Sequence, residues 1–364
     1  MALRYFLVIF FLLFIFASCS NHSDEELFNG EIRYIDDSRV PTKDVTAKHV
    51  SLEGDYAGVI AVHDSLLVCW EPSYENYMFA AFNVDTGKEI GYFCPKGQGP
   101  GEFNNVNLIN QFFKKDGNLM TLLNGDAKSL AFWNITRSVQ TGETVYDTII
   151  PYRWQVGQFF FYLPHDTLLS VMSTQYTDIH ESSTPYCEKR HIHAEEAVKF
   201  PIYKLESVRN DGAKEPVGDF FYAWSTMKPD GTHIVQAMRK LPQLNMIDTR
   251  TGQVIGYRIK GGPDYSLVQT TMSNLTEYYY NVQADDKYIY AVYWGKESWD
   301  GSLGASLPKF DMIHVFDWEG NLLYKLRPDQ SFYITWLDTA RNRLYTRDWN
   351  TDEIYYLDLN ELGL

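Results

Sequence analysis

The sequence predicts an all-β fold, a six-bladed β-propeller whose ring is closed with an N-terminal strand. Three observations predict it. A short apolar strand, a segment ending in Asp or Asn, a turn and a second strand recur about every 50 residues, as in Phe82-Asn83-Val84-Asp85-Thr86-Gly87-Lys88-Glu89-Ile90, Asn245-Met246-Ile247-Asp248-Thr249-Arg250-Thr251-Gly252-Gln253-Val254 and Ile313-His314-Val315-Phe316-Asp317-Trp318-Glu319-Gly320-Asn321-Leu322. Six turn signals rich in Asp, Asn and Gly each precede an apolar strand. Aromatic residues make up 16% of the chain, with 26 Tyr, a composition that suits sheets.

The first residues give a location. Arg4 precedes an apolar run over 5–16, too short to span a bilayer, in the layout of a secretory signal peptide. The run ends Phe16-Ala17-Ser18-Cys19, which resembles a bacterial lipobox. That resemblance implies cleavage after residue 18 and a lipid on Cys19, with enough acyl chains to anchor stably. Residues 19–44 then read as the lipidated Cys and a polar tether. Its Asp24-Glu25-Glu26 run either resembles a surface-export signal or is a solvated linker. Residues 45–364 read as one propeller domain. The expected place is the outer membrane of a Gram-negative bacterium, on its periplasmic or its surface side.

The blades follow in order. Turn signals at His63-Asp64-Ser65, Lys115-Asp116-Gly117-Asn118, His165-Asp166, Pro229-Asp230-Gly231, Asp285-Asp286-Lys287 and Arg341-Asn342 introduce second (B) strands at 66–70, 119–123, 168–172, 233–238, 288–293 and 344–347. Their spacing averages about 56 residues, long for a bare blade and consistent with loop insertions. The last blade runs out of chain before its fourth strand, so a strand within 45–52 is expected to complete it and remove the open edge. Residues 176–215 are polar with weak alternation and read as an insertion in blade three. Residues 104–109 read as the start of a strand.

Lys96-Gly97-Gln98-Gly99-Pro100-Gly101-Glu102-Phe103 lies between the last strand of blade one and the first of blade two, and resembles the blade junction of NHL-type propellers. A degenerate counterpart is Gly261-Gly262-Pro263-Asp264-Tyr265-Ser266, and the other junctions lack it. With its lipobox, the chain resembles the TolB-like six-bladed propeller lipoproteins over nearly all of its mature length. The resemblance implies the fold and an envelope location, and it implies no established catalytic residues. Read from the residues alone, the glycines either permit a tight turn with Phe103 wedged between blades, or cradle a phosphate, which would require a helix to follow.

Chemistry is sparse. The formal net charge of −15, one unit more negative once Arg4 is lost, argues against nucleic acid as a partner. Cys69, Cys94 and Cys187 remain after the lipid site, an odd number, and a Cys69–Cys94 disulfide stays open. His191 and His193 are the best metal pair by spacing, with too few neighbours to complete a zinc site, so no metal or other cofactor is expected. No G-x-S-x-G elbow and no H-E-x-x-H helix occurs.

Strand alternation places the B–C and D–A connections on one face of the disc. That face collects the candidate ligand-binding residues Trp70, Tyr74, Gln98, Glu102, Tyr176, His180, Trp294, Trp299 and Asp300, a mix of aromatics, amides and carboxylates that suits a glycan or an envelope-protein partner. The expected function is therefore a lipid-anchored binding module without turnover. The alternative is an envelope enzyme of the glycan lyase or hydrolase type, with its site at the propeller axis and its residues drawn from different blades.

Overall fold

A computed structural model describes residues 22–54, 56–71, 73–126, 128–172, 185–204, 220–269, 275–297, 309–348 and 350–364. Its first three strands come from the N-terminal segment: β1 (Glu31–Ile35), β2 (Thr42–Val45) and β3 (Lys48–Val50). Blades one to three are β4–β7 (Val59–His63, Leu66–Trp70, Tyr77–Asn83, Glu89–Pro95), β8–β11 (Phe113–Lys115, Asn118–Gly125, Ser129–Asn134, Tyr146–Pro151) and β12–β15 (Phe159–Leu163, Thr167–Met172, Tyr186–His191, Val198–Pro201). Blades four and five are β16–β19 (Ala223–Met227, His233–Met238, Gln243–Asp248, Val254–Ile259) and β20–β23 (Thr276–Ala284, Tyr288–Glu297, Ile313–Asp317, Leu322–Pro328). Blade six has β24–β26 (Thr335–Asp338, Arg343–Arg347, Ile354–Asp358) and takes β3 as its outer strand, antiparallel to β26 with Ile354 opposite Val50.

The turn chemistry carries the strand order. Asp64, Asp116, Asp166 and Asn342 sit in the A–B turns with φ of 53°, 50°, 48° and 54°. Short side chains that hydrogen-bond locally tolerate this left-handed region, where a β-branched residue would be strained. The strands between turns are apolar on both faces, since each blade is packed on two sides. In β6, Met78 to Phe82 are all buried. Aromatic rings fill the wedge between blades, as where Trp133 of blade two lies 5.0 Å from Phe79 and 5.9 Å from Phe93 of blade one.

Near the axis, polar side chains at or beside the first (A) strands of blades two, five and six reach the next blade. The Tyr162 N–H donates to Gln111 Oε1 at 2.9 Å, the Leu337 N–H to Gln283 Oε1 at 3.4 Å, and the Asp64 N–H to Asp338 Oδ1 at 3.2 Å. The Asn281 carboxamide accepts from both the N–H and the hydroxyl of Thr335, at 3.3 and 2.7 Å. On the A–B turn side, Arg341 of blade six donates to Asp64 at 2.8 Å and to both oxygens of Asp85 at 2.6 and 2.8 Å, tying the last blade to the first.

The structure corrects three expectations and answers one question that the sequence left open. The segment read as a polar tether is, from Asp24 on, a belt on the ring. A short helix (His22–Leu27) fills the gap between blades three and four, and β1 and β2 then add in parallel to β19 and β23 as fifth strands. Burying Arg258 and the outer strands of two blades provides partners for this polar segment, which its composition alone did not reveal. Residues 104–109 form no strand. They run as an irregular loop with one isolated bridge, Val106 to Gly125, and the A strand of blade two shrinks to Phe113–Lys115. The region read as an insertion contains two regular strands, β14 and β15, whose alternation is masked by the buried pair Glu188 and Arg190. Cys69, Cys94 and Cys187 are all buried and free.

Candidate functional site

The D–A connection between blades one and two lacks a regular strand, and that irregularity opens a cleft. Residues 105–110, the ends of β5 and β9 and the turn at 156–158 enclose about 430 Å³ on the face of the B–C and D–A connections. Its polar lining is almost all carboxamide: Asn105, Asn107, Asn110, Asn124 and Gln158. Asp126 is the one ionisable side chain among the described residues that line it. Trp70 closes one wall, and its Nε1–H donates to the Val106 carbonyl at 3.1 Å, which fixes the loop against blade one.

The amides are oriented by their neighbours. The Asn124 N–H donates to Asn107 Oδ1 at 2.6 Å, and the Tyr152 hydroxyl donates to Asn124 Oδ1 at 2.5 Å. Asn110 Nδ2 donates to the Gln158 carbonyl across the junction with blade three, at 3.2 Å. Asn105 is exposed, and its carboxamide bonds to no protein group among the described residues. Three held amides, Asn107, Asn110 and Asn124, with the unheld Asn105 and a half-buried indole, offer both donors and acceptors, which recognise hydroxyl and amide groups rather than charges.

Of the residues expected on this face, the cleft gathers Trp70. Tyr74 packs under its own loop, its hydroxyl accepting from the Ala57 N–H at 3.1 Å and its ring edge-on to Tyr92, and burial pushes its phenol up to about 12. Glu102 Oε2 accepts from the Gly99 N–H at 2.9 Å, and its carboxylate lies where a Cβ on Gly97 would sit, so it braces the glycine loop. Phe103 is buried against Tyr146 of blade two, edge-on at 5.8 Å, and no helix follows the loop, so the glycines serve a tight turn. Gln98 is exposed on that loop. Trp294 stands apart on blade five, in an aromatic group with Phe310 at 4.8 Å and with Lys296 over its ring at 4.5 Å. Tyr176, His180, Trp299, Asp300 and Cys19 lie outside the described residues.

His191 and His193 sit on the other face, where β14 ends. Both are exposed, their ring centres are 5.5 Å apart, and the His193 N–H donates to His191 Nδ1 at 3.3 Å. Among the described residues no group of three or more His, Cys, Asp or Glu is placed to hold a metal. The cleft amides were the residues that pattern reading missed. Their only trace in the sequence is the Asn-dense run Asn104-Asn105-Val106-Asn107, with Asn124-Gly125-Asp126 downstream.

The axis itself holds a pocket of about 290 Å³ bordered by the A strands of all six blades. It is mostly aromatic and aliphatic, and His63 is the one ionisable side chain among the described residues lining it. Burial pushes the His63 imidazole below its ordinary value, partly offset by Asp338, so it is neutral at neutral pH. A more highly charged recess lies on blade three, but its Glu188 and Arg190 are both buried and paired at 2.7 Å, with the guanidinium stacked 4.3 Å from the Trp154 ring centre, an arrangement that holds the sheet together.

This architecture has relatives among solved structures. A member of the DUF4221 family from Bacteroides vulgatus superposes with a TM-score of 0.56 at 10% identity, over 88% of this chain and 97% of that one. A protein of Bacteroides fragilis named as exported gives 0.48 at 14% identity, over 79% and 80%. At 10% identity the first likeness speaks for the fold alone. No curated protein matches the chain. The family model described as TolB-like 6-blade propeller-like matches residues 40–339, and the six sheets around one axis are what that model describes. The chain belongs to this TolB-like family of six-bladed propellers.

Proposed function

We propose that the protein is a lipid-anchored envelope module that binds an uncharged polar ligand, a glycan before a peptide, in the cleft between blades one, two and three, and does not turn it over. The observation that carries this reading is the composition of the cleft: five carboxamides and an indole around a single carboxylate. Glycan hydroxyls pair with amides, held or with bonding capacity to spare as at Asn105, and a sugar face packs on an indole. Lyase or hydrolase chemistry calls for an acid and a base within reach of one bond. Neither the cleft nor the axial pocket brings two ionisable groups together among its described lining residues. The anchor reading rests on the leader and Cys19, and it places the module at the outer membrane with the bilayer as its first partner.

A glycan and peptide array probed with wild type and with Asn105→Ala tests the cleft. Asn105 is exposed and supports nothing else, so its loss should weaken a true ligand by roughly 5–30-fold while the fold is unchanged. A bound glycan indifferent to Asn105→Ala and to Trp70→Phe would place the site elsewhere. Release of a detectable product from a bound glycan would favour the enzyme.

A further inference from the structure

The axial pocket shares Asn110 with the cleft but has a polar design of its own in two glutamines. It occupies the half of the channel nearer the A–B turns, since His63, Met227 and Ala284 are the last residues of their A strands. Two glutamines line it, Gln111 of blade two and Gln283 of blade five, and in a six-membered ring those blades face each other across the axis. Each side-chain oxygen accepts a backbone N–H of the next blade, from Tyr162 at 2.9 Å and from Leu337 at 3.4 Å. A backbone N–H can only donate, so it fixes which end of each carboxamide is oxygen. The two NH₂ groups are therefore the ends left over, and neither donates to a protein group among the described residues although both side chains border the cavity. Around them the walls are Phe112, Phe161 and Trp336, with Phe112 edge-on to Trp336 at 5.3 Å and the Trp336 Nε1–H committed to the Val62 carbonyl at 2.7 Å.

We propose that this axial pocket is a second binding site, specific for a neutral planar ring that carries acceptor atoms at its edge. The aromatic walls take the faces of the ring, and the NH₂ groups of Gln111 and Gln283, on facing blades, donate to its acceptors. An ammonium would meet two donors and no carboxylate among the described lining residues. A carboxylate would be buried in a chain of net charge −15, and among the described lining residues only the neutral imidazole of His63 could receive it. A neutral carbonyl or ring nitrogen incurs neither cost.

Three probes of one shape separate these classes: benzamide, benzoate and benzylamine, titrated into ¹⁵N-labelled protein. Benzamide should shift the side-chain NH₂ resonances of Gln111 and Gln283 at millimolar concentration, and the two ions should bind at least about fivefold more weakly. Gln283→Glu keeps the oxygen that accepts from Leu337 and replaces the NH₂ donor with an acceptor. It should fold with a somewhat lower melting temperature, lose benzamide affinity by about tenfold, and turn the preference toward benzylamine, whose ammonium should restore part of the lost stability. Thr339→Trp, at an exposed turn position on the pocket wall, should block all three probes without touching either glutamine. The proposal is overturned by a wild type that binds benzylamine or benzoate as well as benzamide, by NH₂ resonances that do not move, or by benzamide binding that survives both substitutions.

Discussion

Arg258 donates through Nη1 to both carboxylate oxygens of Asp24, at 3.0 and 2.8 Å, although the two residues are 234 positions apart. Both side chains are buried. Arg258 Nε donates to Gln243 at 2.7 Å, the Tyr265 N–H donates to Asp24 at 3.3 Å, and the ring of Tyr265 lies 5.0 Å from the guanidinium. The helix that carries Asp24 is thereby locked between blades three and four, five residues after the expected lipid site.

Breaking this pair should loosen the belt. Arg258→Met leaves the Asp24 carboxylate buried without its cation and should cost about 3–5 kcal/mol, while Asp24→Asn with Arg258→Met together should recover part of that loss. Urea unfolding of the two variants checks the sign. Equal stabilities for the single and double variants would mean that the carboxylate does not depend on the guanidinium.

The outer strand of blade six predicts how the ring closes. Deleting residues 40–54 removes β2 and β3 and leaves β26 with an open edge, along with the ion pair of Lys48 and Glu361 at 2.6 Å. The whole propeller should then melt at a lower temperature and self-associate, because unpaired edges template pairing between chains. Calorimetry and sedimentation of the deletion variant decide it. A monomer with the wild-type melting temperature would show that β3 adds nothing to closure.

Acid should unfold the protein partly through His314. Burial, with a smaller push from Lys325, drives this imidazole down to about 3 in the folded state. The unfolded chain takes up a proton near pH 6.5 and the folded one does not, so stability is fully present above 6.5 and falls as pH drops toward 3. The slope from this group is at most about 1.4 kcal/mol per pH unit. His314→Phe, which keeps a ring to stack on Tyr293 now 4.2 Å away, should flatten the dependence between pH 6 and 4 relative to wild type. Parallel curves for the two proteins would assign the acid sensitivity to the carboxylates.

Phe103 and Gly125 should behave as one packed unit. A Cβ on Gly125 would stand 2.4 Å from Phe103 Cδ1, so Gly125→Ala should cost about 1–3 kcal/mol and Phe103→Leu should relieve part of it. Thermal shifts of the two single variants and the double variant measure the coupling, and strict additivity would count against the wedge.

The thiols offer a test of the anchor. Burial pushes all three described thiols up, Cys69 and Cys187 to about 12, so native protein should not react with a thiol reagent at neutral pH. In denaturant, membrane-extracted protein should expose three thiols, because a lipidated Cys19 has none to offer. A fourth thiol on protein whose leader has been removed would refute the lipid on Cys19.

The sequence by itself determined the blade count and most of the strand positions. B strands expected at 66–70 and 233–238 are β5 and β17 to the residue, and the others differ by a few positions at their ends. That is the part of the fold written locally, because Asp, Asn and Gly turns and alternating apolar runs act within a few residues of themselves. The tertiary structure decided what depends on distant pairing. Asp24 read as solvent-facing until its partner 234 residues away was in place, and the polar strands β1 and β2 had no apolar stripe to announce them as fifth strands. The cleft was invisible for the same reason. Asn105, Asn124 and Gln158 come from different segments of blades one to three, and only the packing of those blades sets their side chains around one volume. At the axis, Gln111 and Gln283 are ordinary strand glutamines in the chain. Their free NH₂ ends exist because the next blade holds each oxygen, and only the packing of one blade on the next supplies that neighbour.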